Sequence, residues 1–110
     1  MPDWLIKIVS VTPTNLDDPT AAFLPTTQQC LSGDNITWKN QTDDEHQPWP
    51  LGPDGKPAAT GWGVNPVAPG TSSNPTYSVA SSPKGIVKYC CKKHTSEVGE
   101  LDVLTAPPTF

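Results

Sequence analysis

A cysteine and a histidine near the end of the chain are spaced so that both can bind one metal ion. They lie in the run Tyr89-Cys90-Cys91-Lys92-Lys93-His94, in which His94 follows Cys91 by three positions. Residues 86–91 alternate as in a β-strand, and this parity places Val87, Tyr89 and Cys91 on one face and Ile86, Lys88 and Cys90 on the other. Because lysine marks the solvent side, we expect Cys91 to point into the protein and Cys90 to point away.

The composition indicates a small protein built from short strands and loops. The 110 residues are enough for one hydrophobic core, and the 14 prolines and 8 glycines leave few windows for a long helix. The net charge is −4, and the Lys and Arg residues form no long run, which argues against nucleic-acid binding. No apolar stretch approaches the roughly 20 residues of a membrane-spanning helix.

The strands can be placed approximately from the alternation of apolar and polar residues. In residues 35–40, Ile36 and Trp38 fall on one face of a half-buried strand. We expect residues 12–27 to be loop or irregular edge structure. Strands are predicted at residues 4–11, 35–40, 77–80, 86–91 and 101–104, with a short segment at 28–31.

Residues 41–74 show little periodicity, and loops of that length tend to be functional or disordered. Trp49 and Trp62 argue for order in this region, and we interpret both as loop anchors. We expect one domain over residues 1–110, with a proline-rich tail at 105–110. The N-terminus lacks the basic and apolar segments of a signal peptide.

Four segments, in order along the chain, resemble the cupredoxins, the family of type 1 copper proteins. Residues 33–40 are similar to the strand that precedes the first copper histidine, and His46 occupies that histidine's place. The other three matches are Pro69-Gly70-Thr71-Ser72-Ser73, the aromatic-x-Cys-x-x-His run at 89–94, and Gly99-Glu100-Leu101-Asp102-Val103. The resemblance implies an all-β Greek-key β-sandwich of about 6–8 short strands, with one copper ion bound by His46, Cys91 and His94.

The sequence departs from the family pattern at the fourth ligand. Members with the shortest ligand loop carry Cys-x-x-His-x-x-Met, but Glu97 stands at the methionine position and Met1 is the only methionine. Glu97 could be a hard oxygen ligand, which would favour Cu(II) and lower the reduction potential. It could equally point to solvent, and the backbone carbonyl of Glu45 is another axial candidate.

Other interpretations of the same residues stay open. His46 follows three acidic residues and could be a solvated loop histidine, and Cys91 could be an inert core cysteine. The three cysteines cannot all pair within one chain, although a Cys30–Cys90 disulfide would leave Cys91 free as a ligand. The set of one cysteine, two histidines and Glu97 would also suit a tetrahedral zinc site.

The resemblance implies a mononuclear electron-transfer protein that cycles between Cu(I) and Cu(II), and nothing in the sequence indicates an enzyme. We expect a monomer that meets a redox partner protein where His94 reaches the surface. Copper and a disulfide would favour a periplasmic or extracellular location. The alternatives are a copper-binding or delivery protein without redox turnover, and a metal-free structural module of the same fold.

Overall fold

The computed structural model describes residues 3–13, 20–81 and 84–105, and these residues form eight strands and no helix. The predicted tail falls mostly on 106–110, outside the described residues, as do residues 82 and 83 of the turn before the strand at 86–91. The strands are β1 (Asp3–Ser10), β2 (Ala21–Leu24), β3 (Thr27–Cys30), β4 (Asn35–Asn40), β5 (Pro48–Pro50), β6 (Tyr77–Ser78), β7 (Gly85–Cys91) and β8 (His94–Val103).

The strands form two four-stranded sheets that pack as a sandwich. The first sheet has the order β2-β1-β4-β6 and the second has the order β3-β8-β7-β5. β1 pairs with β4, and β3 with β8, in parallel, while the other neighbouring pairs are antiparallel. The prediction of an all-β sandwich is confirmed.

The inward faces of both sheets supply the core. In β4 the burial alternates strictly, so that Ile36 and Trp38 are buried on the predicted face, and the polar Asn40 continues the same buried row. Buried apolar side chains from both sheets form one cluster, which includes Ile6, Ile8, Phe23, Tyr89, Leu101 and Val103. This single core fixes how the ends of β4, β7 and β8 lie relative to one another.

Two stretches differ from the sequence-based expectation. The segment 12–27, predicted to be loop or irregular edge structure, contains the regular edge strand β2 and the first residue of β3, and residues 14–19 lie outside the description. β2 is an edge strand that pairs with β1, a long-range contact that local alternation does not reveal. The strand predicted at 101–104 begins seven residues earlier, at His94, because the polar residues of its first half pair with β7.

The long segment at 41–74 is ordered by contacts to the sandwich. It contains β5 and short bridges that pair His46 with Val67 and Leu51 with Pro57. The Trp62 ring stacks between Trp38 and Tyr77, with centroid distances of 6.0 and 4.3 Å, in accord with its interpretation as an anchor. Within 3–13, 20–81 and 84–105, no helix has the length and apolar character needed to cross a bilayer.

Candidate metal centre

The β7–β8 hairpin brings Cys91 and His94 together. Cys91 is the last residue of β7 and His94 the first of β8, and the two are paired across a turn of two residues, Lys92 and Lys93. The Cys91 Sγ lies 3.5 Å from His94 Nδ1. The hairpin therefore places the Cys-x-x-His pair as the spacing predicts.

His46 is held in place by backbone contacts to a distant part of the loop. Its N–H donates to the carbonyl of Val67 at 3.2 Å, and the N–H of Val67 donates back at 2.7 Å. The ring is almost fully buried, and its Nδ1 lies 3.5 Å from Cys91 Sγ. The interpretation of His46 as a solvated loop residue is therefore wrong.

Glu97 points inward because of its position in β8. The residues at 97, 99, 101 and 103 form the buried row of this strand, and Leu101 and Val103 of the same row lie in the core. The Glu97 side chain is 2% exposed, so the alternative in which it points to solvent is wrong. Counting back from Leu101 in steps of two reaches Glu97 only once β8 is known to begin at His94, and the strand predicted from the sequence begins at Leu101.

Four side chains thus converge at one end of the sandwich, and they could hold a metal ion. One donor atom from each of His46, Cys91, His94 and Glu97 lies within 4.8 Å of the others. The carboxylate oxygens of Glu97 lie 2.9 Å from His46 Nδ1 and 3.6 Å from His94 Nδ1. The imidazole centroids are 4.9 Å apart, so one small cation could be reached by both rings.

The chemistry of these donors fits a cation. Glu97 Oε1 is buried without a hydrogen-bond partner, although His46 Nδ1 lies only 2.9 Å away. The two atoms therefore lie side by side without a hydrogen bond between them. Burial, followed by the charge of Asp44, raises the pKa of Glu97 to about 7. A cation at this point would satisfy the oxygen and favour its ionised form.

The Cys91 sulfur is screened from solvent and accepts a backbone hydrogen bond. The N–H of Gln47 donates to Sγ at 3.3 Å, and the Cys91 side chain is fully buried. Burial raises the pKa of the Cys91 thiol, while backbone donors from Gln47, Lys93 and His94 act in the opposite direction. Burial, and then the charge of His94, lowers the pKa of His46, which favours the neutral imidazole that binds metals.

Sequence reasoning missed Asn40 and Thr42, which hold the back of the His46 ring. His46 Nε2 lies 2.9 Å from Thr42 Oγ1, and Thr42 Oγ1 lies 2.7 Å from Asn40 Oδ1. Asn40 is fully buried and Thr42 nearly so. The available signal was the position of Asn40, where the buried row of Ile36 and Trp38 in β4 continues with a polar residue.

The other two cysteines are free and do not pair with each other. Cys30 lies opposite Val103 of β8 and Cys90 opposite Val98, five residues away. At about 3.4 Å per residue this separation is roughly 17 Å, well beyond the span of about 7 Å that a disulfide can bridge. The Cys30–Cys90 disulfide, left open by the sequence, is therefore not formed.

Cys90 is not on a wet face, although strand parity predicts that it is, and the register of β7 shifts between Cys90 and Cys91. It is fully buried, and β5 is the neighbouring strand of β7 in the same sheet at this level. Trp49 is its direct partner in the β5–β7 pair, and the indole N–H donates to the carbonyl of Ala58 at 2.7 Å. Trp49 thus anchors its loop, in accord with the interpretation from the sequence.

Several solved structures share this architecture. A purple cupredoxin from Nitrosopumilus maritimus matches with a TM-score of 0.67 and 21% identity, over 91% of this chain and 98% of the other. A mutant amicyanin in its Cu(I) form matches with a TM-score of 0.60 and 19% identity, over 91% of this chain and 80% of the other. A pseudoazurin from Sinorhizobium matches with a TM-score of 0.59 and 20% identity, over 94% of this chain and 75% of the other.

The protein has the cupredoxin fold, and the fold predicted from the resemblance is confirmed. No protein-family model matches the chain, and no curated protein matches it in sequence. Within the described residues, this cupredoxin β-sandwich carries a His-Cys-His-Glu group that could hold one metal ion.

Proposed function

We propose that the protein binds one copper ion through His46, Cys91, His94 and Glu97 and transfers electrons. The observation that carries this proposal is the convergence of these four side chains within 4.8 Å at one end of a cupredoxin fold. A thiolate with two imidazoles is the donor set expected of an electron-transfer copper site. When bound, copper would supply a one-electron couple between Cu(I) and Cu(II).

The surrounding chain supports electron transfer by limiting movement of the ligands. Cys91 and His94 belong to adjoining strands of one hairpin, and His46 is bridged to Val67 on both sides of its peptide. The N–H of Lys92 also donates to the carbonyl of Gln47 at 2.8 Å, which ties the hairpin turn to the loop of His46. Ligands held in this way change little between oxidation states, so less reorganisation accompanies transfer.

Glu97 is the proposed fourth ligand. A carboxylate is a harder donor than the thioether expected at this position, so it would stabilise Cu(II) more than Cu(I) and lower the reduction potential. Support comes from the burial of Glu97 and from its partnerless Oε1 beside His46 Nδ1.

Electrons would leave or enter the protein at His94. Its side chain is 36% exposed, whereas those of His46 and Glu97 are each 2% exposed. The neighbouring Lys93 is paired with Glu45 at 3.0 Å, so both charge signs border this exit. We propose a redox partner protein that docks here, a periplasmic or extracellular location, and no enzymatic role.

A visible absorption spectrum, taken before and after one equivalent of Cu(II), tests the proposal. We expect an intense thiolate-to-copper band in the wild type and none in Cys91→Ser, with Cys30→Ser as the matched control that retains the band. The band should bleach with ascorbate and return with ferricyanide. A wild type that shows no band in reduced, zinc-free protein would contradict copper binding through Cys91. If the band forms but the copper passes rapidly to a chelator and is not reversibly reduced and reoxidised, the result would instead favour copper delivery.

A further inference from the structure

We propose that Asn40 and Thr42 are positioning residues that hold His46 in the tautomer with its proton on Nε2. The Nδ1 lone pair then faces Cys91 and Glu97. This inference extends the proposed function. The use of Nδ1 as a metal ligand rests on that proposed function. The tautomer itself follows from hydrogen bonds of the metal-free protein.

The orientation of the Asn40 amide is fixed by its three contacts to backbone groups. Its Nδ2 donates to the carbonyls of Asp44 at 2.7 Å and Val67 at 2.9 Å. Its Oδ1 accepts the backbone N–H of Thr42 at 2.9 Å. Exchanging the amide oxygen and nitrogen would set an oxygen against two carbonyls and an NH₂ group against an N–H. The atom that faces Thr42 is therefore the oxygen.

The Asn40 oxygen determines the direction of the Thr42 hydroxyl. Thr42 Oγ1 lies 2.7 Å from Asn40 Oδ1, and an amide oxygen carries no proton, so the hydroxyl must donate this bond. The other acceptor within reach, the carbonyl of Asp44 at 3.1 Å, would take the same single proton. With either acceptor, Thr42 has no proton left for His46.

His46 Nε2 lies 2.9 Å from Thr42 Oγ1 and must therefore be the donor of that bond. A proton on Nε2 leaves the lone pair of the neutral ring on Nδ1, the atom 3.5 Å from Cys91 Sγ and 2.9 Å from Glu97 Oε1. The opposite tautomer would take the Thr42 proton for Nε2 and leave two oxygens 2.7 Å apart with no proton between them. Because Asn40 and His46 are buried, water does not readily replace the lost bond.

The same network couples the ring to the backbone that carries it. Asn40 Nδ2 bonds the carbonyl of Val67, and Val67 exchanges two backbone hydrogen bonds with His46. Asn40 therefore sets both the tautomer, through Thr42, and the position of the peptide. Removal of such outer partners of a metal-binding histidine typically weakens metal affinity about 10- to 100-fold.

Nitrogen-15 NMR of the metal-free protein at about pH 6, where Glu97 with its pKa of about 7 is protonated and can donate to the Nδ1 lone pair, tests the tautomer directly. The chain has two histidines, so His94 serves as an internal comparison. We expect His46 to carry its proton on Nε2 in the wild type and in Thr42→Ser, which keeps the hydroxyl. In Thr42→Val we expect a mixture of tautomers. A wild-type His46 with its proton on Nδ1 would overturn the proposal without any variant.

Competition for Cu(I) with a chelator gives the second readout. Affinity should fall about 10- to 100-fold in Thr42→Val and be restored to within about threefold in Thr42→Ser. The matched control is Thr71→Val, which removes an exposed hydroxyl that donates to the carbonyl of Ala68 at 2.8 Å. If the wild type and Thr42→Val have the same His46 tautomer populations and the same Cu(I) affinity, the positioning role is overturned. If the wild type has the expected tautomer but binds no copper, the copper proposal fails and the tautomer assignment stands.

Discussion

His46 Nδ1 lies 2.9 Å from Glu97 Oε1, and each side chain is only 2% exposed. Two acceptors this close are stable only with a cation or a proton between them. In the metal-bound protein the cation lies between the two atoms, and in the metal-free protein a proton must take its place. The first two predictions concern the metal-free and the copper-loaded protein in turn.

In the metal-free protein, Glu97 should make stability depend on pH. Burial raises its pKa to about 7 from the ordinary value of 4.5, so the folded state binds this proton more tightly than the unfolded state. The contribution of Glu97 is therefore most favourable below pH 4.5, and it is lost as pH rises to about 7. The lost free energy of unfolding is on the order of 3 kcal/mol.

Urea unfolding of the wild type and Glu97→Gln between pH 5 and 8 measures this effect. His46, whose pKa is lowered by burial, acts in the opposite direction, so the informative quantity is the difference between the two proteins. We expect Glu97→Gln to gain stability relative to the wild type as pH rises. A constant difference across this range would show that Glu97 titrates normally.

In the copper-loaded protein, Glu97→Met should raise the reduction potential. A soft thioether stabilises Cu(I) relative to a carboxylate, and each tenfold change in that preference corresponds to about 59 mV. We expect an increase of at least about 60 mV by voltammetry, with an absorption maximum shifted towards blue. Glu100→Gln, on the outward row of the same strand, is the control and should leave both unchanged. An unchanged potential in Glu97→Met would argue against Glu97 as a ligand.

Gly99→Ala should destabilise the sandwich. A Cβ at this position would lie 2.6 Å from the Tyr89 ring, its cross-strand partner, and Tyr89 is fully buried against Trp38 and Phe23. Overpacking of this kind costs about 1–3 kcal/mol of unfolding free energy. Chemical denaturation provides the measurement, with the exposed Ser96→Ala as the control. A loss no larger than that of Ser96→Ala would mean that Tyr89 moves freely.

Trp49→Ala should expose the Cys90 thiol. Trp49 lies directly opposite Cys90 on the outer face of the second sheet, where Lys92 Nζ also packs 3.8 Å above the indole. Alkylation of the metal-free protein, followed by peptide mass spectrometry, should label Cys90 at least tenfold faster in Trp49→Ala than in the wild type. Trp49→Phe should remain protected because it keeps an aromatic cover. Equal labelling in all three proteins would assign the protection of Cys90 to other residues.

Local sequence was sufficient for the strands with strong alternation and for the hairpin ligands. The inward position of Cys91 and its three-residue spacing from His94 depend only on strand geometry and a short turn, so both were predictable. The alternation of Ile36 and Trp38 in β4 was equally clear. These features need no knowledge of the distant chain.

Only the tertiary structure decided the rest of the site. Glu97 is buried because β8 starts at His94 and pairs with β7, although its first half is polar. His46 takes its position from Val67, and Cys90 is covered by Trp49, through pairings across the long loop. The tautomer of His46 depends on Asn40 and Thr42. Their polar groups form these hydrogen bonds only when folding has excluded water from them. Long-range pairing and burial leave little local trace in a sequence, so these features become visible only in the folded chain.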